Sequence, residues 1–163
     1  MKKIHILFVI LLPLVFTACQ EDDGVWDFAN TSILIQVKDT QGNDLLNPSQ
    51  EGNITNNLIK VYYNDKEYIK DADINQFYPQ TRYNMPRWQG LCSYEKNGNY
   101  YLAFGEFTPQ DDYKGERFII NWGDGTTDEI AFDCYVTWKR KKPKVHEGLY
   151  LNGERVEQII IIK

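Results

Sequence analysis

The sequence predicts an all-β fold: a single sandwich of roughly eight to ten antiparallel strands, with a closed barrel as the alternative. Three observations carry that prediction. Short apolar alternations with a period of two recur along the chain and end in Asn, Asp and Gly turns. Aromatic residues are plentiful, with four Trp and eleven Tyr among 163 residues, and such rings favour pleated, half-buried surfaces. Beyond residue 19, no long segment repeats convincingly at 3.6 residues.

The first element is not part of that fold. Lys2 and Lys3 precede an apolar run of 13 residues from Ile4 to Phe16, followed by the small pair Thr17-Ala18 and then Cys19. A membrane-spanning helix needs roughly 20 apolar residues, so the run reads as a cleaved export signal. The acidic stretch Gln20-Glu21-Asp22-Asp23 opens a weakly patterned tether that reaches residue 30.

Ile33, Ile35 and Val37 alternate against Leu34 and Gln36, which makes 32–38 a strand. Asp39-Thr40-Gln41-Gly42-Asn43-Asp44 is turn chemistry. Asp39, Asn43 and Asp44 also offer the hard oxygens that calcium prefers, but a turn capping its own backbone accounts for them. A polar loop to Asn56 follows. Four hairpins are then expected around four turns. Residues 58–63 and 67–70 flank Asn64-Asp65, and 88–95 and 100–107 flank Asn97-Gly98. Residues 117–122 and 126–138 flank Gly123-Asp124-Gly125, and 149–151 and 154–162 flank Asn152-Gly153. The unbroken isoleucine run 159–162 predicts a strand buried on both faces; an exposed edge pairing with a neighbouring molecule is the alternative.

Residues 1–18 therefore read as a signal, 19–30 as Cys19 and its tether, and 31–163 as one domain. The N-terminal layout resembles that of Bacteroidetes-type surface-exposed lipoproteins, with a lipobox at Cys19 and an acidic export tag after it. That resemblance implies acylation of Cys19, an outer-membrane anchor and exposure at the cell surface. Residues 35–46 are similar to the first hairpin of immunoglobulin-like and carboxypeptidase-regulatory-like modules. Trp122-Gly123-Asp124-Gly125-Thr126 resembles the central turn of PKD-type domains. Both imply an immunoglobulin-like sandwich, and neither implies an activity.

Composition narrows the function. The net charge of −5 becomes −7 once Lys2 and Lys3 leave with the signal, which argues against nucleic acid. His146 is then the only histidine, so a multi-histidine metal site is excluded, and no metal or cofactor is expected. No serine elbow, phosphate-binding glycine loop or paired-cysteine zinc spacing is present. Cys92 lies between Leu91 and Ser93 in a strand, where packing rather than nucleophilic pairing with His146 is the default. A bridge between Cys92 and Cys134, 42 positions apart, would contribute about 4 kcal/mol in an oxidising compartment; a pair of buried thiols is the alternative.

The longest irregular stretch, 71–87, runs into the best binding candidates: Phe77, Tyr78, Arg82, Tyr83, Arg87 and Trp88. Aromatic faces stack on sugars or peptide side chains, and arginine forks grip carboxylates. The same aromatics would also cover the open end of a sandwich. Lys139-Arg140-Lys141-Lys142-Pro143-Lys144 is the one basic cluster, either a contact for anionic lipid near the anchor or a solvated strand end. The resulting expectation is a non-catalytic, lipid-anchored surface module for a glycan or protein ligand. A structural or accessory subunit of a surface assembly is the first alternative, and a glycan-processing enzyme the second.

Overall fold

A computed structural model gives the structure, which describes residues 26–72 and 87–163. Among these the chain forms ten strands: β1 (Thr31–Lys38), β2 (Lys60–Tyr63), β3 (Lys66–Ile69), β4 (Leu91–Lys96), β5 (Asn99–Phe107), β6 (Tyr113–Asn121), β7 (Thr127–Lys139), β8 (Lys142–Leu151), β9 (Glu154–Val156) and β10 (Ile159–Ile162). They make a four-stranded sheet, β10-β1-β5-β4, and a six-stranded sheet, β3-β2-β6-β7-β8-β9. Neither sheet closes on itself, so the fold is a sandwich and not a barrel.

The alternation in the sequence sets the faces. Ile33, Ile35 and Val37 of β1 are buried, while Leu34 and Gln36 between them are only partly so. From the larger sheet, Phe118, Ile120, Ile130 and Phe132 point the same way, into a continuous core with Phe104, Phe107 and Trp122. Phe104 meets Phe118, and Phe107 meets Phe132, each with ring centroids 4.5 Å apart. Fully burying each such ring stabilises the fold by about 1.5–3 kcal/mol. All of the described core lies between Ile33 and Ile161, so residues 20–163 contain every part of it.

Three of the turns use residues that tolerate positive φ: Asn64-Asp65, Asn97-Gly98 and Asn152-Gly153. The Gly123-Asp124-Gly125 turn is tied down further. Asp124 accepts hydrogen bonds from the Thr126 amide and hydroxyl at 2.8 and 2.6 Å, and from Lys163 Nζ at 2.7 Å. Trp122 beneath it donates Nε1–H to Asp128 at 2.7 Å. In the earlier turn, Asp39 accepts from the amides of Gln41 and Asn43 and from Asn43 Nδ2, which is self-capping.

The structure corrects the sequence reading in four places. One pair is not antiparallel: β10 runs parallel to β1, with Ile35 opposite Ile159. Residues 154–162 are two strands, because the chain breaks at Glu157-Gln158 and passes from the larger sheet to the smaller. The isoleucine run is a sheet edge and not a strand buried on both faces; Ile159 and Ile161 face the core while Ile162 is 59% exposed. Finally, the basic cluster is more than a solvated strand end: Lys139 closes β7, Lys142 opens β8, and Arg140-Lys141 between them make the turn of a fifth hairpin.

That hairpin overhangs the sandwich. The β6–β7 pairing ends at Tyr113 opposite Cys134, and β9 accompanies β8 only over Leu149–Leu151. Among the described residues, 135–146 thus pair only with each other, in an arm of two strands.

Candidate functional site

Of the six binding candidates, Phe77, Tyr78, Arg82 and Tyr83 lie outside the described residues, as does Cys19. Arg87 is exposed and forms an ion pair with Asp111, which also accepts a hydrogen bond from the Tyr113 hydroxyl at 3.1 Å. Trp88 is taken up by packing: it is 4% exposed and lies with Cys92 and Ala103 on the outer face of the smaller sheet. Its amide donates to Glu106 Oε2 at 3.1 Å, and its carbonyl accepts from the Glu106 amide at 2.9 Å. A ring held in this way offers no face for a ligand to stack on.

Cys92 and Cys134 are both free and buried, so the possible bridge is not made. Strand alternation gives the reason. Cys92 belongs to the small cluster under Trp88 on the outside of its sheet, whereas Cys134 points into the core from the other sheet. The smaller sheet therefore stands between the two side chains, so they do not meet in the geometry a disulfide needs. Burial pushes the Cys92 thiol up to about 12, with the Asp71 carboxylate adding to it. Burial likewise pushes Cys134 up to about 11, helped by Glu147. Both are packing thiols held protonated, unlike a nucleophilic cysteine. His146 stacks flat on Tyr135 with centroids 4.7 Å apart and shares a 2.8 Å hydrogen bond with Thr137, on the sheet that does not contain Cys92.

The structure brings together a different site. Where the chain switches from β9 to β10, it leaves half of β1 without a second neighbouring strand among the described residues. Thr31, Ile33 and Leu34 pair with β5 on one side, but the β10 pairing begins only at Ile35. Beside this open half lies a cleft of about 330 Å³ between the two sheets. Phe132, Leu149 and Ile159 contribute its apolar lining, and Asp133, Glu147 and Glu157 its carboxylates. Asp133 is already committed, accepting from the Gly115 amide at 2.7 Å and from the Tyr150 hydroxyl at 3.0 Å. Glu147 and Glu157 leave their acidity at the rim.

Backbone groups of a strand point alternately to its two sides, so about half of those on the open stretch face the cleft. Such an edge accepts another extended chain by main-chain hydrogen bonds, and the apolar lining accepts alternate side chains. Sequence reasoning missed this site because it read 154–162 as one strand, which would have filled the gap. The available signal was Glu157-Gln158, two successive polar residues that break the alternation just before the isoleucine run. Compared with family models, curated proteins and solved structures, the chain matches none.

Proposed function

We propose that this chain is a lipid-anchored, non-catalytic module of the outer cell surface that binds an extended segment of a protein partner along the open half of β1. The anchor rests on Cys19 and the residues around it, and the immunoglobulin-like character of the sandwich on the two short resemblances. The observation that carries the binding reading is the uncovered Thr31–Leu34 edge over an apolar cleft. A protein strand suits it better than a sugar, since backbone amides and carbonyls are what the edge presents. The rim carboxylates Glu147 and Glu157 favour a segment with basic flanks.

Panning residues 20–163 against a displayed library of extended peptides tests this. Selected peptides should slow hydrogen exchange at the amides of β1, and Glu147→Lys with Glu157→Lys should weaken them. An empty selection, or binders that map elsewhere, would defeat the reading. The anchor is tested separately: Cys19→Ala should release the protein from the membrane fraction.

A second reading, a subunit of a surface assembly, draws on the outer edge of β10, where Ile162 is exposed. It requires self-association that Ile162→Lys disrupts. A monomer at all concentrations in sedimentation would dismiss it.

A further inference from the structure

The arm formed by residues 135–146 has two unlike faces. Directly opposed residues of an antiparallel pair share a face. Val136 with Val145, and Trp138 with Pro143, therefore form an apolar face. Thr137 with Lys144, and Lys139 with Lys142, lie on the other face, and Arg140-Lys141 cross the tip. Trp138 is 55% exposed and Val145 42% exposed, so the apolar face is open to solvent. A short element with an indole and aliphatics on one side and cations on the other suits the boundary between headgroups and acyl chains.

Two details set this charged tip apart from the other hairpins. Lys139 directly opposes Lys142, an arrangement that destabilises a hairpin in water and is relieved by an anion between them. The turn itself places Arg140 and Lys141 at φ of 49° and 63°. The chain uses Asn-Gly for the same task at Asn97-Gly98 and Asn152-Gly153, where the conformation costs less. At the arm, favourable turn chemistry has given way to charge.

The position of the arm completes the argument. Phe28 meets Trp138 edge-on, with centroids 6.3 Å apart, so the chain enters the domain alongside the arm. Trp26, 48% exposed, lies just upstream. Trp26 lies seven positions after Cys19, and seven steps of fully extended chain span at most about 25 Å. An acylated Cys19 would therefore keep the arm close to the leaflet.

We propose that the β7–β8 arm seats on an anionic bilayer surface, with Lys139, Lys142 and Lys144 meeting headgroup phosphates and Trp138 entering the interface. The geometry of approach rests on the anchored reading above, whereas the recognition chemistry does not. The acidic remainder of the domain is repelled by the same surface, so the arm would fix which way the domain stands. The β1 cleft would then be held at a constant height and orientation.

The test uses residues 20–163, which carry no acyl chain, with vesicles of phosphatidylcholine alone or mixed with phosphatidylglycerol. Sedimentation should show partition onto the mixed vesicles only, weakening as salt is raised. The variant K139S/K142S/K144S should bind roughly a hundredfold less, at about fivefold per cation removed. Lys96→Ser, at the opposite end of the sandwich, should change nothing. If the triple variant melts early, quenching of Trp138 by brominated lipid in the unaltered chain decides instead, and Trp138→Ala should abolish the quenching. Equal binding to pure phosphatidylcholine, an unaffected triple variant, or unquenched Trp138 would overturn the proposal. Tight binding to heparin without vesicle partition would assign the arm to a soluble polyanion and overturn it equally. Because the acyl group is absent, failure here leaves the Cys19 fractionation result standing on its own.

Discussion

Removing the Trp88 ring should unfold this domain more readily, and Gly90 shows why. Trp88 is 4% exposed, over Cys92 and Ala103. A Cβ added at Gly90 would lie 2.5 Å from Trp88 Cζ2 and 2.8 Å from Cε2, so the indole occupies the space that a side chain at 90 would need. Trp88→Ala is expected to cost about 3–5 kcal/mol as a large-to-small change in a packed site. Gly90→Ala should cost about 1–3 kcal/mol by overpacking, because the indole must shift. In the double variant the clash disappears with the ring, so the two costs should fail to add, by about 1–2 kcal/mol. Urea unfolding followed by far-ultraviolet circular dichroism measures all three. With a slope of about 2 kcal/mol per molar urea, Trp88→Ala should lower the midpoint by about 2 M. A loss under about 1 kcal/mol, or strict additivity in the double variant, would refute the packing role and return Trp88 to the list of recognition residues.

The thiols and the Trp122 turn yield further expectations. Cys92 and Cys134 should resist alkylation at pH 8 until denaturant is added, and intact mass should show two free thiols even after mild oxidation. Their folded pKa values, about 12 and about 11, lie above the unfolded value of about 8.5. Their contribution is thus fully present below about pH 8.5 and declines as pH rises toward 11, by about 1.4 kcal/mol per unit for each thiol. Urea midpoints at pH 7, 9 and 10 should fall accordingly, and Cys92→Ala with Cys134→Ala should flatten the decline; an unchanged slope would contradict the burial argument. Gly123→Ala should cost about 2–4 kcal/mol, since φ is +73° and the new Cβ would lie 2.9 Å from the Leu58 backbone nitrogen. Gly125→Ala, at φ +89° with open space around it, should cost only about 1 kcal/mol. Equal midpoints for the two glycine variants would contradict the close approach.

Sequence and structure agree where the information is local. The Ile33, Ile35, Val37 alternation needs no distant partner to be read, and turns such as Asn97-Gly98 announce themselves by residues that accept positive φ. The Arg140-Lys141 turn was illegible for the converse reason, since neither residue signals a reversal and the cluster read as the end of a strand. Pairings between distant segments leave no local trace. Nothing in the isoleucine run says that it lies parallel to β1, or that the chain changes sheets at Glu157-Gln158. The cleft depends on both facts, and the polar pair Glu157-Gln158 signals at most a break in the strand. Trp88 was legible as an important aromatic, but its surroundings decide whether such a ring packs or binds, and periodicity does not report them.

The parallel pairing of β1 with β10 also sets when the domain can be finished. Ile35 and Ile159 are partners across 124 positions of chain, so the contact closes a very long loop and belongs to the slow end of folding. A polypeptide appearing from its N-terminus presents β1 long before it delivers β10. During that interval Ile35 and Val37 would stand at a bare margin, open to holding chaperones or to misassembly. Maturation is thereby postponed until nearly the whole domain is available to fold.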